Sequence, residues 1–197
     1  MTIRTVVPTQ DRGRNRGAMT AERTRDDSRP DQRGDPPLLF VKESRIAAPP
    51  EQVFAFHESP GALQRLTPPW ENVRFLEGGG SLQPGTRLAI SVPVGPFRLR
   101  WVAEHTEYQP GRMFADRQVE GPFASWHHRH YCLDDGQGGT ILRDEIEYRP
   151  PLGALGRLLG ARLLRSKLQR MFDYRHDVTR QIVESGDFHH HGGPNPA

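Results

Sequence analysis

Between Asn72 and Tyr148 the apolar residues fall at every second position, and turn-forming clusters at 78–80, 83–85, 95–96, 109–111, 121–122 and 134–136 cut the run. A period of two is the signature of half-buried strands, so six strands are expected at 72–76, 86–93, 97–107, 112–120, 123–133 and 139–148. Their short connections imply an antiparallel meander with one apolar face in need of a cover. Pro150-Pro151 ends the sheet. Beyond it Leu155, Leu158, Leu159, Leu163, Leu168, Met171, Phe172, Val178 and Ile182 recur at helical spacing to Ser185. That predicts one helix of on the order of 45 Å at 1.5 Å per residue. Upstream, 39–46 reads as a seventh strand stopped by Pro49-Pro50, with Pro50 in the first turn of a helix that turns Val53, Phe54 and Phe56 inward. A second short helix follows at 61–66. The pair is helix-turn-helix in shape only, since nothing basic lines its second helix for a DNA groove.

The core-forming part stops at both ends. Residues 1–37 hold eight Arg and six Asp or Glu, with Ile3, Val6 and Val7 their only branched aliphatic residues and no aromatic ring. Residues 186–197, with the run His189 to His191, are equally poor in core formers. Neither end can bury enough apolar area to offset chain entropy, so disordered tails are expected around one domain at 38–185. The N-terminal arm supplies +2 of the formal +3 charge, which leaves the domain near neutral. Acids interleave its arginines and no stacking platform accompanies them, so nucleic acid is not an expected partner. A single cysteine, Cys132, excludes an internal disulfide. No stretch approaches 18 apolar residues, so no stable membrane insertion is expected. With no apolar signal segment at the start, a cytoplasmic location is expected.

Strand, two short helices, six antiparallel strands and a long terminal helix is the element order of an α+β helix-grip fold: a curved seven-stranded antiparallel sheet around its C-terminal helix. The region from Phe40 to Ser185 resembles the START-like, or SRPBCC (polyketide cyclase/dehydrase), superfamily. It looks most like a bacterial branch sometimes attached to sugar-nucleotide-epimerase-like proteins. Ile46-Ala-Ala-Pro-Pro-Glu-Gln-Val-Phe54, Leu66-Thr-Pro-Pro-Trp70, Gly121-Pro-Phe-Ala-Ser-Trp-His-His-Arg-His130 and Phe172-Asp-Tyr-Arg-His176 carry the resemblance. It implies a groove between sheet and helix that holds an apolar ligand, catalytic in only some members.

Strand parity assigns the faces. In 139–148 the even positions Thr140, Leu142, Ile146 and Tyr148 are the apolar set, which places Asp144 inside and in need of a partner. A pairing sum of 272 or 274 with the preceding strand brings Trp126, His128, His130 and Cys132 to the same face. With 274, His130 stands directly opposite Asp144; with 272 it is a diagonal neighbour. A carboxylate-held histidine on a cavity wall can serve as general acid or base, and the same two groups can equally satisfy one another structurally. Ser125 has the opposite parity, which disfavours a nucleophilic triad.

Asp116 and Gln118 share parity with Phe114 on 112–120, although Met113, Ala115 and Val119 make the other face of that strand apolar too. On 97–107 the inward set is Phe97, Leu99, Trp101 and Ala103. The expected ligand-binding residues are therefore Trp101, Phe114, Asp116, Gln118, Trp126, His128 and Tyr148, with His130 and Asp144 the candidate catalytic pair. His57 falls near a cavity mouth. A metal site from His57, His128 and His130 has no HExxH-type spacing, and neither metal nor organic cofactor is expected. Glycines 153, 156 and 160 mark the start of the long helix as a flexible gate. The leading expectation is a non-covalent binder of a small apolar or amphipathic molecule such as a lipid, isoprenoid or polyketide. The alternative is a cofactor-independent cyclase, dehydratase or isomerase using His130 and Asp144.

Overall fold

The computed structural model describes residues 36–151 and 153–186, the side chains of 153–161 excepted. These residues lie in the unit Gly34–Ala197. The expected tails thus fall largely outside what is described, and at glycines 153, 156 and 160 only the helical backbone is described.

The element order is β1 (Leu38–Ile46), α1 (Pro50–Glu58), α2 (Ala62–Arg65), a 3-10 turn at Pro69–Glu71, β2 (Arg74–Gly78), β3 (Arg87–Val94), β4 (Phe97–Gln109), β5 (Met113–Glu120), β6 (Ser125–Asp134), β7 (Thr140–Arg149) and α3 (Gly153–Ser185). The sheet order is β1-β7-β6-β5-β4-β3-β2, antiparallel throughout. The architecture is α+β and helix-grip: a curved seven-stranded sheet, a long C-terminal helix and short helices after the first strand.

Each local device is readable in the chain. Pro50 starts α1 where its missing N–H costs nothing, and Val53, Phe54 and Phe56 are the buried residues of that helix. Gly61 enters α2 at φ 76°, a conformation that a Cβ would oppose. Asn72 leaves the 3-10 turn at φ 46°, so β2 starts two residues later than the period alone indicates.

On α3 a stripe of Leu168, Phe172, His176, Thr179 and Val183 is buried. Phe172 lies 5.6 Å from the Phe40 ring, centroid to centroid. Lys42 of β1 meets Asp173 at 2.5 Å, and the Ala47 amide donates to Glu184, which together pin α3 along β1. Leu163, expected inward, is 77% exposed; its neighbour Leu164 turns to the interior instead.

Two irregularities in the pairing of β4 with β5 set which side chains face in. Val119 is the extra residue on β5 and Thr106 the extra residue on β4. Trp101 and Ala103 therefore face the interior with His105, and beyond the second bulge Tyr108 rather than Glu107 stands opposite inward-facing Phe114. Phe97 and Leu99, also expected inside, are exposed at 71% and 39%, at the β3–β4 hairpin end of the strand. The double burial on β5 has a separate cause. Ala115 pairs with Glu107 on one side and Arg129 on the other, and those two charges approach within 3.7 Å, an ion pair that crosses over the small residue. Outer-face cover of this kind mimics a core in the sequence pattern.

Candidate functional site

A cavity of about 900 Å³ lies between the inner face of the sheet, the α1–α2 corner and α3. Its lining runs from buried His128 and Asp144 to exposed Phe75 and Val94, so it communicates with solvent. One wall is aromatic. Trp101 and Trp126 meet edge to face at 5.2 Å, and Phe123 touches both rings at 5.5 and 4.9 Å.

The polar end is built around Asp144, 4% exposed on β7. The register pairs His130 with Asp144, the 274 sum, and His130 Nδ1 lies 2.7 Å from Asp144 Oδ1. His128 Nε2–H donates to the same oxygen at 2.8 Å, and His176 Nε2–H, from α3, donates to Oδ2 at 2.7 Å. Three imidazoles thus converge on one carboxylate. A second carboxylate, Asp116 on β5, sits opposite His128 in the register and takes the His130 Nε2–H at 3.3 Å. His130 also stacks on Phe114, with centroids 4.1 Å apart and planes 13° from parallel.

These contacts separate the proton affinities. For His130 burial works against a charge, but the Asp144 field and the bonds to Asp116 and Asp144 outweigh it, raising the pKa to about 8. His128 is lowered to about 4 by burial and then by the neighbouring His130 charge, its bond to Asp144 notwithstanding. Asp144 would be raised by burial, yet the His130 charge and three imidazole contacts hold it well below the usual carboxylate range. Asp116 is lowered on the same balance, against burial. The working state is one imidazolium between two carboxylates beside a neutral imidazole. Divergent affinities among neighbouring groups in a cavity are what acid–base chemistry needs.

Of the expected residues, Trp101, Phe114, Asp116, Trp126, His128, His130 and Asp144 line the cavity together. Gln118 and Tyr148 are not part of that lining. Gln118 is occupied with both backbone groups of Phe123, donating to its carbonyl at 2.8 Å and accepting from its amide at 3.3 Å, which ties the β5–β6 turn. Tyr148 is 2% exposed within a cluster with Phe40, Trp126, Ile146 and Phe172, because its place at the end of β7 lies under packed rings. His57 lines the cavity, but its Nδ1–H is committed to the Val53 carbonyl at 2.8 Å, and burial lowers its pKa to about 4. Asp116, rather than His57, joins His128 and His130: one donor atom from each lies within 4.8 Å of the others, a spacing that a cation could bridge. In the present arrangement the His130 proton joins Asp116 to the pair. Ser125 accepts a bond from Arg149 at 3.3 Å and is not among the cavity-lining residues.

His176 and Arg175, also in the lining, carry no assignment from strand parity. The available signal is helical: His176 is four residues from Phe172 and eight from Leu168, a polar residue on the apolar stripe.

The model of the family described as polyketide cyclase / dehydrase and lipid transport matches residues 46–172. The chain belongs to this family. Within the START-like superfamily that contains it, three solved structures share the fold. A nucleoside-diphosphate sugar epimerase from Corynebacterium glutamicum superposes with a TM-score of 0.59 at 27% identity over 74% of this chain. This chain spans only 29% of that one. An aromatase/cyclase from a Streptomyces species gives 0.58 at 17% identity, covering 75% of this chain and 94% of its own. A norcoclaurine synthase from Thalictrum flavum, complexed with a transition-state analogue, gives 0.59 at 14% identity over 77% and 96%. Comparison with curated protein sequences gives no match. Family membership supports a ligand-binding or cyclase role. Among the described residues no helix is long and apolar enough to cross a membrane.

Proposed function

We propose that this family member binds a small amphipathic molecule in the cavity, its apolar body on the Trp101–Phe123–Trp126 wall and its polar end toward the histidine–aspartate cluster. The observation that carries this is the cavity itself: about 900 Å³, walled by aromatic and aliphatic groups and closed at one end by convergent polar side chains. That combination is the usual form of a small-molecule site. The fluorescent apolar probe N-phenyl-1-naphthylamine tests it. A saturable one-to-one isotherm with quenching of the tryptophan emission is expected, and Ala103→Trp, which fills the space beside Trp101, should abolish it. A flat response from the parent protein refutes the proposal.

A second reading is favoured by one observation, the placement of His130 between Asp144 at 2.7 Å and Asp116 at 3.3 Å on the cavity wall. An imidazolium so held can protonate a carbonyl or hydroxyl oxygen of a bound polycarbonyl compound. The neutral imidazole it becomes can then remove a proton from carbon, so aldol-type cyclisation and dehydration need no cofactor. His130→Gln should abolish conversion of a panel of cyclisable polycarbonyl compounds while leaving probe binding and the far-UV circular dichroism spectrum of the fold in place. Turnover that survives the substitution excludes His130 as the acid–base group.

A further inference from the structure

Among the described residues, every carboxylate in the cavity lining already has a partner. Asp144 takes three imidazoles and Asp116 takes His130. Glu71 takes Lys167 at 3.0 Å, and Glu58 takes the Tyr108 hydroxyl at 2.6 Å. Arg175 has none. Its Nε is buried without a hydrogen-bond partner, and among the described residues no carboxylate lies within ion-pair distance of its guanidinium. The group sits in the cavity lining with its central carbon 5.1 Å from the centre of the Phe172 ring. Phe172 also meets the His128 ring at 5.2 Å, and His128 in turn is 6.2 Å from Trp126. Arg175 therefore stands at the polar end, one ring away from the histidine cluster and two from the aromatic wall.

A guanidinium is the least easily neutralised of the protein cations, and its planar fork matches an oxyanion in two parallel hydrogen bonds. Leaving it in a recess without an acceptor costs free energy that a matching ligand recovers. Burial accordingly pushes its pKa down, against the fields of Asp144, Asp116 and Glu71. We infer that Arg175 is an oxyanion subsite, so that the ligand of this cavity carries a carboxylate or equivalent oxyanion seated on Arg175 while its apolar body lies against Trp101, Phe123 and Trp126. The inference rests on the cavity being a ligand site, and it adds the charge and orientation of the ligand.

Two probes that share one ring system separate the two ideas. The sulfonate 1-anilinonaphthalene-8-sulfonate and its uncharged counterpart N-phenyl-1-naphthylamine are titrated into the full chain and into Arg175→Met and Arg175→Lys at pH 7.5. Arg175→Met should weaken the sulfonate by about tenfold or more, the equivalent of about 1.4 kcal/mol, and leave the neutral probe within about twofold. Arg175→Lys, which keeps the charge, should retain most of the sulfonate affinity. If the Met variant does not fold, displacement of the neutral probe from the parent protein decides: 2-naphthoate should compete about tenfold better than 2-naphthamide. Equal loss of both probes, no loss of either, or equal competition by acid and amide overturns the oxyanion subsite while the groove stands. Failure of the parent protein to bind either probe removes the groove and the inference with it.

Discussion

The proton that His130 holds between two carboxylates makes folding stability depend on pH in a shape that can be worked out in advance. His130 has a folded pKa of about 8 against an ordinary 6.5, so folding gains from its protonation. That contribution is fully present below pH 6.5 and is lost as pH rises through 8. At about 1.36 kcal/mol per pH unit the difference is about 2 kcal/mol. On the acid side His128 and His57 act oppositely. Each is lowered to about 4 in the folded protein, so below pH 6.5 protons favour the unfolded chain, by about 3 kcal/mol per residue once pH 4 is reached. Asp144 and Asp116, both lowered by folding, add to the acid loss only below the ordinary carboxylate range. His105, lowered by burial, sharpens the same acid limb. Stability should therefore peak near pH 6.5 and fall on both sides.

Urea unfolding followed by far-UV circular dichroism at half-unit steps from pH 5 to 9 gives the curve. His130→Gln should lack the decline between pH 6.5 and 8.5 while keeping the acid limb. A parent protein whose stability is flat or rising from pH 6.5 to 8.5, or a His130→Gln variant with an unchanged alkaline limb, would refute the placement of the proton.

Two further perturbations probe the same construction. Asp144→Asn leaves one oxygen acceptor for three imidazoles and removes the buried negative charge; a loss of about 3–5 kcal/mol is expected from urea unfolding, with the alkaline limb gone as well. Phe172→Ala removes a ring that is 1% exposed and packs on Phe40 and His128, so a loss of about 3–5 kcal/mol is expected, and a melting temperature unchanged within a degree would show that α3 is not held there.

What could be read from the chain alone was whatever a short-range rule governs. Strand alternation over ten residues, with a turn of known length before it, was enough to put His130 and Asp144 on one face; it left the pairing sum open between 272 and 274, and the structure has 274, with the two directly opposite. Helical spacing likewise marked Leu168 and Phe172 as inward. The same rules are silent where a single residue breaks the period. Beyond the extra residue at Thr106 the inward set of β4 passes from odd to even positions, and the outer ion pair over Ala115 covers a second apolar face on β5, which left the orientation of that strand open from parity alone. Such breaks leave little trace in composition, since any residue can occupy a bulge.

Only the docking of α3 on the sheet could bring His176 to the second oxygen of Asp144, across 32 residues of chain, and leave Arg175 facing the cavity without a counter-ion. Alternation says which way a side chain points from its own strand. It carries no information about which residue of a distant helix arrives opposite, because that is fixed by the summed packing of Phe40, Phe172, Val183 and their neighbours.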